Sequence, residues 1–195
     1  MVKYLRFAIV FSTMQWKREK YGKTGEVSFS ETEWNSLLGA VDSIEDELLL
    51  QFTVSTGLRR EDVVSVLIEN IDFDKETLTY YERKKRRTRE IPLQIKVLKL
   101  IRQYLNVVKR RYGKLFDFSG RTAYNKLNRC CEKAGISKRP FHSLRATCVK
   151  FCIKSKWSLL EIAKLTGDEV ETIETHYAVP SKGDMNEVAK NKPTV

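Results

Sequence analysis

Pro140-Phe141-His142-Ser143-Leu144-Arg145-Ala146-Thr147 is the stretch on which the reading of this chain turns. Its proline opens a helix expected from about Ser143 to Lys154. Residues three apart at a helix start share a face, so His142 and Arg145 can address one point. A guanidinium is a planar fork that keeps its charge, and it grips phosphate oxygens in pairs. Farther on, Tyr177 stands on the last helix the pattern supports, which stops before Pro180.

Working outward, Ser158 and Glu161 form a capping box for the helix in between, and Gly167 closes it. Upstream, residues 122–133 read as a helix closed by Gly135. Leu115, Phe116 and Phe118 read as a buried crossing. Ile95, Leu98, Ile101, Leu105 and Val108 recur at helical spacing, giving an amphipathic helix over 94–111 that Gly113 stops. Before it the period changes to two. Leu78, Tyr80 and Glu82 alternate with Thr77, Thr79 and Tyr81 in one strand, and Ile91 and Leu93 mark a return strand whose Pro92 suits an edge. Between them lies Arg83-Lys84-Lys85-Arg86-Arg87-Thr88-Arg89, six basic residues in seven. This reads as a hairpin with a strongly positive tip.

Nearer the N-terminus, Ser30 with Glu33 is another capping box, before Trp34, Leu37, Leu38 and Val41. Ser43 starts a largely buried helix ending near Gly57, and a short helix carries Val63, Val64, Val66 and Leu67. The fold class expected is mainly α with a small antiparallel β-sheet. Residues 17–29 read as a loop or linker, Phe7–Phe11 as a short helix or strand, and 181–195 as a polar, mobile tail.

The chain has 195 residues, enough for one core and a small appendage. Its net charge is +11, from 36 Lys and Arg against 25 Asp and Glu. An excess of that size favours a polyanionic partner, nucleic acid above all. The four cysteines form no Cys-x-x-Cys pair and there are two histidines, so a zinc site is not expected. The cysteine pattern fits a reducing cytoplasm. No apolar run reaches the ~18 residues of a membrane span, and no membrane partner is expected.

Transesterification of a DNA phosphodiester needs a nucleophile, cations on the non-bridging oxygens and an acid for the leaving oxygen. A tyrosine has an ordinary pKa near ~10, so cationic neighbours or a base must help it lose its proton. Two arginines, a lysine and a histidine supply these without a metal or cofactor.

Thr56-Gly57-Leu58-Arg59 with Asp62, a basic hairpin, His142-x-x-Arg145, Gly167 and then Tyr177 resembles, in order and spacing, the catalytic domain of the tyrosine recombinases (phage integrase family). The resemblance spans roughly 30–180, with 1–29 as an N-terminal segment and linker and 181–195 as the tail. It implies a catalytic set of Arg59, Lys84, His142, Arg145 and Tyr177, with Asp62 as a buttress. Lys84 comes from counting back from Pro92, and a one-residue slip of the hairpin would put Lys85 there. The implied roles are general acid for the lysine and nucleophile for Tyr177. Arg60, Arg83, Lys85, Arg86, Arg87 and Arg89 would contact DNA phosphates.

Asp168 departs from the pattern. The family carries histidine or tryptophan nine residues before the tyrosine, and a carboxylate beside a phosphate is repulsive. The simpler reading makes Asp168 the N-cap of the last helix; His176 or Lys164 are stand-ins for the missing group, His176 a poor one because it points away from Tyr177. The family also carries an N-terminal core-binding domain, where this chain has 29 residues. The expectation is thus a site-specific DNA recombinase or integrase of a minimal or split kind, with a lean toward an archaeal virus or mobile element. It would work on double-stranded DNA as a tetramer in the synapse. A non-catalytic DNA-binding remnant and a type IB topoisomerase-like enzyme are the alternatives.

Overall fold

A computed structural model describes residues 27–177. The readings for Phe7–Phe11, most of 17–29 and 181–195 lie outside them.

Ser30 and Glu33 bond each other's backbone amides, and this capping box starts α1 (Glu31–Gly39). Ser28 and Phe29, assigned to the linker by sequence, are buried. The Phe29 amide donates to Thr147 Oγ1 at 2.8 Å, and the Arg139 guanidinium lies over its ring. Ser43 caps α2 (Ile44–Thr56), the central helix. Leu48, Leu49, Leu50, Phe52 and Val54 give it apolar atoms on every side, so it has no wet face to present.

Gly57 ends α2 in the left-handed conformation, φ 63°, with its amide bonded to Thr53 O. The chain then makes one turn of helix, α3 (Arg60–Val63). The sequence suggested a longer helix here. Instead the chain leaves through a bridge between Leu67 and Lys114 and a 3-10 turn, Ile68–Asn70.

The sheet is antiparallel in the order β1 (Ile71–Asp72), β2 (Thr77–Glu82), β3 (Arg87–Pro92). Leu78 pairs with Ile91 and Glu82 with Arg87. The alternation holds: Leu78, Tyr80 and Glu82 are the buried positions of β2. Four residues, 83–86, make the turn, with Arg86 at φ 50°.

Next comes α4 (Ile95–Val108), which buries Val97, Leu98, Leu100, Ile101 and Tyr104. It stops short of 111, because Lys109 turns left-handed at φ 55°. Ser119 caps α5 (Gly120–Lys133), two residues earlier than expected. The last three helices are α6 (His142–Lys154), α7 (Leu159–Thr166) and α8 (Val170–His176). The second capping box, Ser158 with Glu161, and the left-handed Gly167 bound α7 as the sequence indicated.

α6 and α4 pack on α2 and make the main core with α1, α5 and the sheet. A smaller cluster joins Ala146 and Val149 of α6 to Ile162, Ile173 and Tyr177. All four cysteines are free, and Cys130, Cys131 and Cys148 are core residues. Among the described residues no helix is long and apolar enough to cross a membrane.

Gly57 offers a direct test of this packing. A Cβ there would meet Thr166 Cγ2 at 3.0 Å and Cys148 Sγ at 3.1 Å, on top of a positive φ. Left-handed backbone costs a non-glycine residue ~1–2 kcal/mol, and overpacking ~1–3. Gly57→Ala is expected to lower Tm by roughly 5–15 °C. Gly39→Ala, with nothing within 4 Å of the added carbon, should leave Tm level or slightly raised. Calorimetry on the two variants makes the comparison.

Candidate active site

The junction of α2 and α3 sets the first corner. Gly57 turns the chain, Leu58 is buried beneath it, and Arg59 follows as N-cap of α3. Arg59 Nη1 donates to Glu82 Oε1 at 2.7 Å and Nη2 to Asp168 Oδ1 at 2.8 Å. Asp62, buried one turn on, accepts from the Arg83 amide at 3.3 Å and so ties α3 to the hairpin. Burial pushes the Asp62 carboxyl up in pKa, against the Arg83 hydrogen bond and the Arg59 charge.

Arg145 is the second corner. It comes from the first turn of α6 and is 1% exposed. Its Nη1 donates to Gly57 O, and Nη2 reaches Thr166 O at 2.9 Å and Asp168 Oδ2 at 2.6 Å. Nε has no acceptor among the described residues.

His142 and Tyr177 form the third corner. The Tyr177 backbone caps α8, bonded to Ile173 O, and its ring is buried in the small cluster. The hydroxyl lies 3.0 Å from His142 Nε2. Burial raises the Tyr177 pKa, with Asp168 adding to it and Arg145 opposing, so the phenol is protonated at neutral pH. His142 moves the other way, down to about 4, from protein packed round the ring and then from Arg145, Arg59 and Lys84. The Asp168 carboxylate opposes the shift without cancelling it. A neutral imidazole facing a protonated phenol can accept its proton.

The hairpin supplies the fourth corner. Lys84 lines an open cavity of about 490 Å³ with Arg59, Arg60, Asp62, Arg83 and His142. Lys85 is engaged elsewhere, in an ion pair with Glu169. Of the two lysines, Lys84 is the one that lines the cavity beside His142 and Arg59.

The other basic residues divide. Arg83 and Arg86 are exposed at the tip, and Arg60 pairs with its neighbour Glu61. Arg87 is half-exposed but bonded to Glu82 at 2.9 Å. Arg89, also expected among the DNA contacts, has protein partners in this structure. It belongs to β3, its side chain is 11% exposed, and its donors go to Tyr80 Oη and Lys164 O. Register is the cause, since Arg89 pairs with Tyr80 well away from the turn.

Two acidic residues also differ from expectation. Asp168 is not the cap of α8, whose N-cap is Glu169, with no side-chain bond. Its carboxylate instead joins Arg59 to Arg145. Burial opposes its ionisation, but the Arg145 and Arg59 guanidiniums outweigh this and hold the carboxyl below its usual range. Glu82 reads from the sequence as a strand residue alone. It is fully buried and receives Arg59 at 2.7 Å and Arg87 at 2.9 Å, with Arg89 Nε at 4.0 Å. Its position on the buried face of β2, beside a basic run, was the available signal. A buried carboxylate must be paired.

Glu82→Gln removes the charge but keeps the shape. Arg59 is expected to lose its anchor, with a stability loss of about 2–4 kcal/mol, read by denaturant titration. A variant as stable as the parent would mean that Glu82 does not hold Arg59.

Arginines from two distant segments thus converge on one carboxylate, next to a hydrogen-bonded tyrosine–histidine pair and a lysine-lined cavity. The model of the phage integrase family matches residues 28–182. The chain belongs to the phage integrase family. Among curated relatives of this integrase-family chain, the tyrosine recombinase XerA of Saccharolobus solfataricus is 30% identical over 140 residues, covering 72% of the chain and 47% of that protein. XerA of Pyrococcus furiosus is 28% identical, covering 85% and 62%. The chain therefore spans about half to two thirds of the length of these relatives. The crystal structure of XerA recombinase superposes with a TM-score of 0.75 at 19% identity, over 86% of the chain and 66% of that structure. The catalytic domain of bacteriophage HP1 integrase gives 0.62 at 18%, over 86% and 95%. At such identities these structures establish the fold, a mainly helical domain with a three-stranded antiparallel sheet.

Proposed function

We propose that this chain is the catalytic domain of a site-specific DNA recombinase that cuts and rejoins strands through a 3′-phosphotyrosine. The hydrogen bond between Tyr177 and His142, within the fields of the two arginines that converge on Asp168, carries the reading. Arg59 and Arg145 would hold the non-bridging oxygens of the scissile phosphate. Tyr177 Oη attacks phosphorus as His142 Nε2 takes its proton. The bond to the 5′ oxygen breaks, and Lys84 gives that oxygen a proton. The phosphotyrosine keeps the ester, so the 5′ hydroxyl of a partner strand restores a phosphodiester without a cofactor.

The substrate on this reading is double-stranded DNA, gripped by Arg60, Arg83, Arg86 and Arg87 through its phosphates. A tetramer on two sites is the expected assembly. Support comes from related proteins: XerH was solved bound to a difH substrate after cleavage, and lambda integrase as a tetramer on a Holliday junction. Asp168 supports a second reading, a DNA-binding domain without activity, because an anion occupies the arginines.

A nicked suicide substrate separates the two. Covalent protein–DNA adduct supports the recombinase, and binding without adduct under every condition supports the remnant. Lys84→Ala is expected to slow adduct formation by about 10²–10³. Replacing the bridging 5′ oxygen with sulfur, a better leaving group, should restore most of the rate. A rate that stays low would move the general acid to Lys85.

A further inference from the structure

Asp168 occupies the place where the proposed reaction needs a phosphate. Its two oxygens each take a different guanidinium, Arg59 at 2.8 Å and Arg145 at 2.6 Å. Neither arginine depends on it for position. Arg59 is held from behind by Glu82, and Arg145 by the carbonyls of Gly57 and Thr166. Asp168 therefore takes the donors that remain after the arginines are fixed. Those same donors would face a bound oxyanion, and the buried Arg145 Nε still lacks an acceptor among the described residues.

The segment bearing Asp168 is short and lightly tied. It links Gly167, the left-handed end of α7, to Glu169, the N-cap of α8. Within it the Asp168 amide makes only a long contact, 3.4 Å, to Thr166 Oγ1. Glu169 pairs with Lys85 of the hairpin. Two successive acids thus each hold a basic group of the proposed DNA-binding apparatus. The Asp168 side chain is 11% exposed, at the edge of the site.

We propose that Asp168 is a built-in anion filling the Arg59–Arg145 oxyanion site, and that a phosphodiester must displace it to bind. This rests on the recombinase reading for the identity of the phosphate, but not for the existence of the anion site. A carboxylate and a phosphate in contact would repel, so the two states exclude each other. Only the fraction of molecules with Asp168 withdrawn can accept a phosphate, and apparent affinity falls by that fraction. Glu169 follows directly in the chain and pairs with Lys85, so a phosphate drawing Lys85 toward DNA and one entering the arginine pair would favour the same movement of the link.

The test uses the full chain and inorganic phosphate, with titration calorimetry as the readout. Asp168→Asn and Asp168→Ala are each expected to bind phosphate about tenfold tighter than the parent. Adding Arg145→Ala to Asp168→Asn should remove the gain. Equal affinity in the parent and both variants overturns the proposal, as does a gain that survives loss of Arg145. Hydrogen exchange in the unaltered chain gives a measurement independent of any substitution. Amides of 166–169 should exchange faster when phosphate is added at saturating concentration, and unchanged or slower exchange there contradicts displacement. On the suicide substrate, Asp168→Asn should form adduct faster. Tighter phosphate binding with no adduct from parent or variant upholds the built-in anion and removes the recombinase reading. Loss of adduct with unaltered phosphate affinity makes Asp168 a participant and overturns the inference.

Discussion

Tyr177→Phe binds a DNA site as tightly as the unaltered chain and forms no covalent adduct on a nicked suicide substrate: that is the expected result, and the largest effect of any single change here. The substitution removes one oxygen. The ring stays in its cluster with Ala146, Val149, Ile162 and Ile173, and the lost hydrogen bond to His142 is worth only about 1 kcal/mol. His142 is an exposed residue, so its ring is not left sealed in the core. Folding and binding are thus preserved while the sole proposed nucleophile is gone. Denaturing electrophoresis of labelled DNA with the two proteins reads the outcome. Adduct from the phenylalanine variant would transfer the role to another residue.

Arg145→Ala should cost both catalysis and stability. The guanidinium meets Asp168 and two backbone carbonyls, from Gly57 and Thr166, at 1% exposure. Alanine leaves these carbonyls buried without a donor and leaves Asp168 with Arg59 alone. Breaking one side of a buried ion pair costs about 3–5 kcal/mol, which is a fall in Tm of roughly 10 °C for a chain of this size. Adduct formation should drop by about 10³ or more, since a preorganised donor to the developing charge is lost. Lysine cannot repair the defect, because a single ammonium has no fork to span Gly57 O, Thr166 O and a third acceptor. Thermal unfolding and single-turnover cleavage measured on both variants test this. An alanine variant with the parent's Tm would refute the buried contacts.

Local chemistry made much of the fold legible. The Ser30–Glu33 and Ser158–Glu161 pairs marked two helix starts, and Gly57 and Gly167 marked two ends, because each motif is satisfied within a few residues. The alternation of Leu78, Tyr80 and Glu82 named the buried face of β2. Motif order named candidates for all four corners of the site, the lysine by counting back from Pro92. What escaped was whatever depends on partners far along the chain. An aspartate before a helix can cap it or find a cation, and the choice for Asp168 was made by Arg59, 109 positions away. The same holds for Glu82, whose burial was readable while its arginines were not. Arg89 looked like a hairpin-tip residue until strand register turned it toward Tyr80 and Lys164.

Gly57 stands at the end of α2 against Thr166 and Cys148, and its carbonyl is what Arg145 grasps. On the proposed function, a random-mutagenesis screen scored on DNA joining would therefore return hits at Thr166 and Cys148, both buried in the protein. Second-site revertants of those hits should map to the seam between the ends of α2 and α7 rather than to the surface facing DNA.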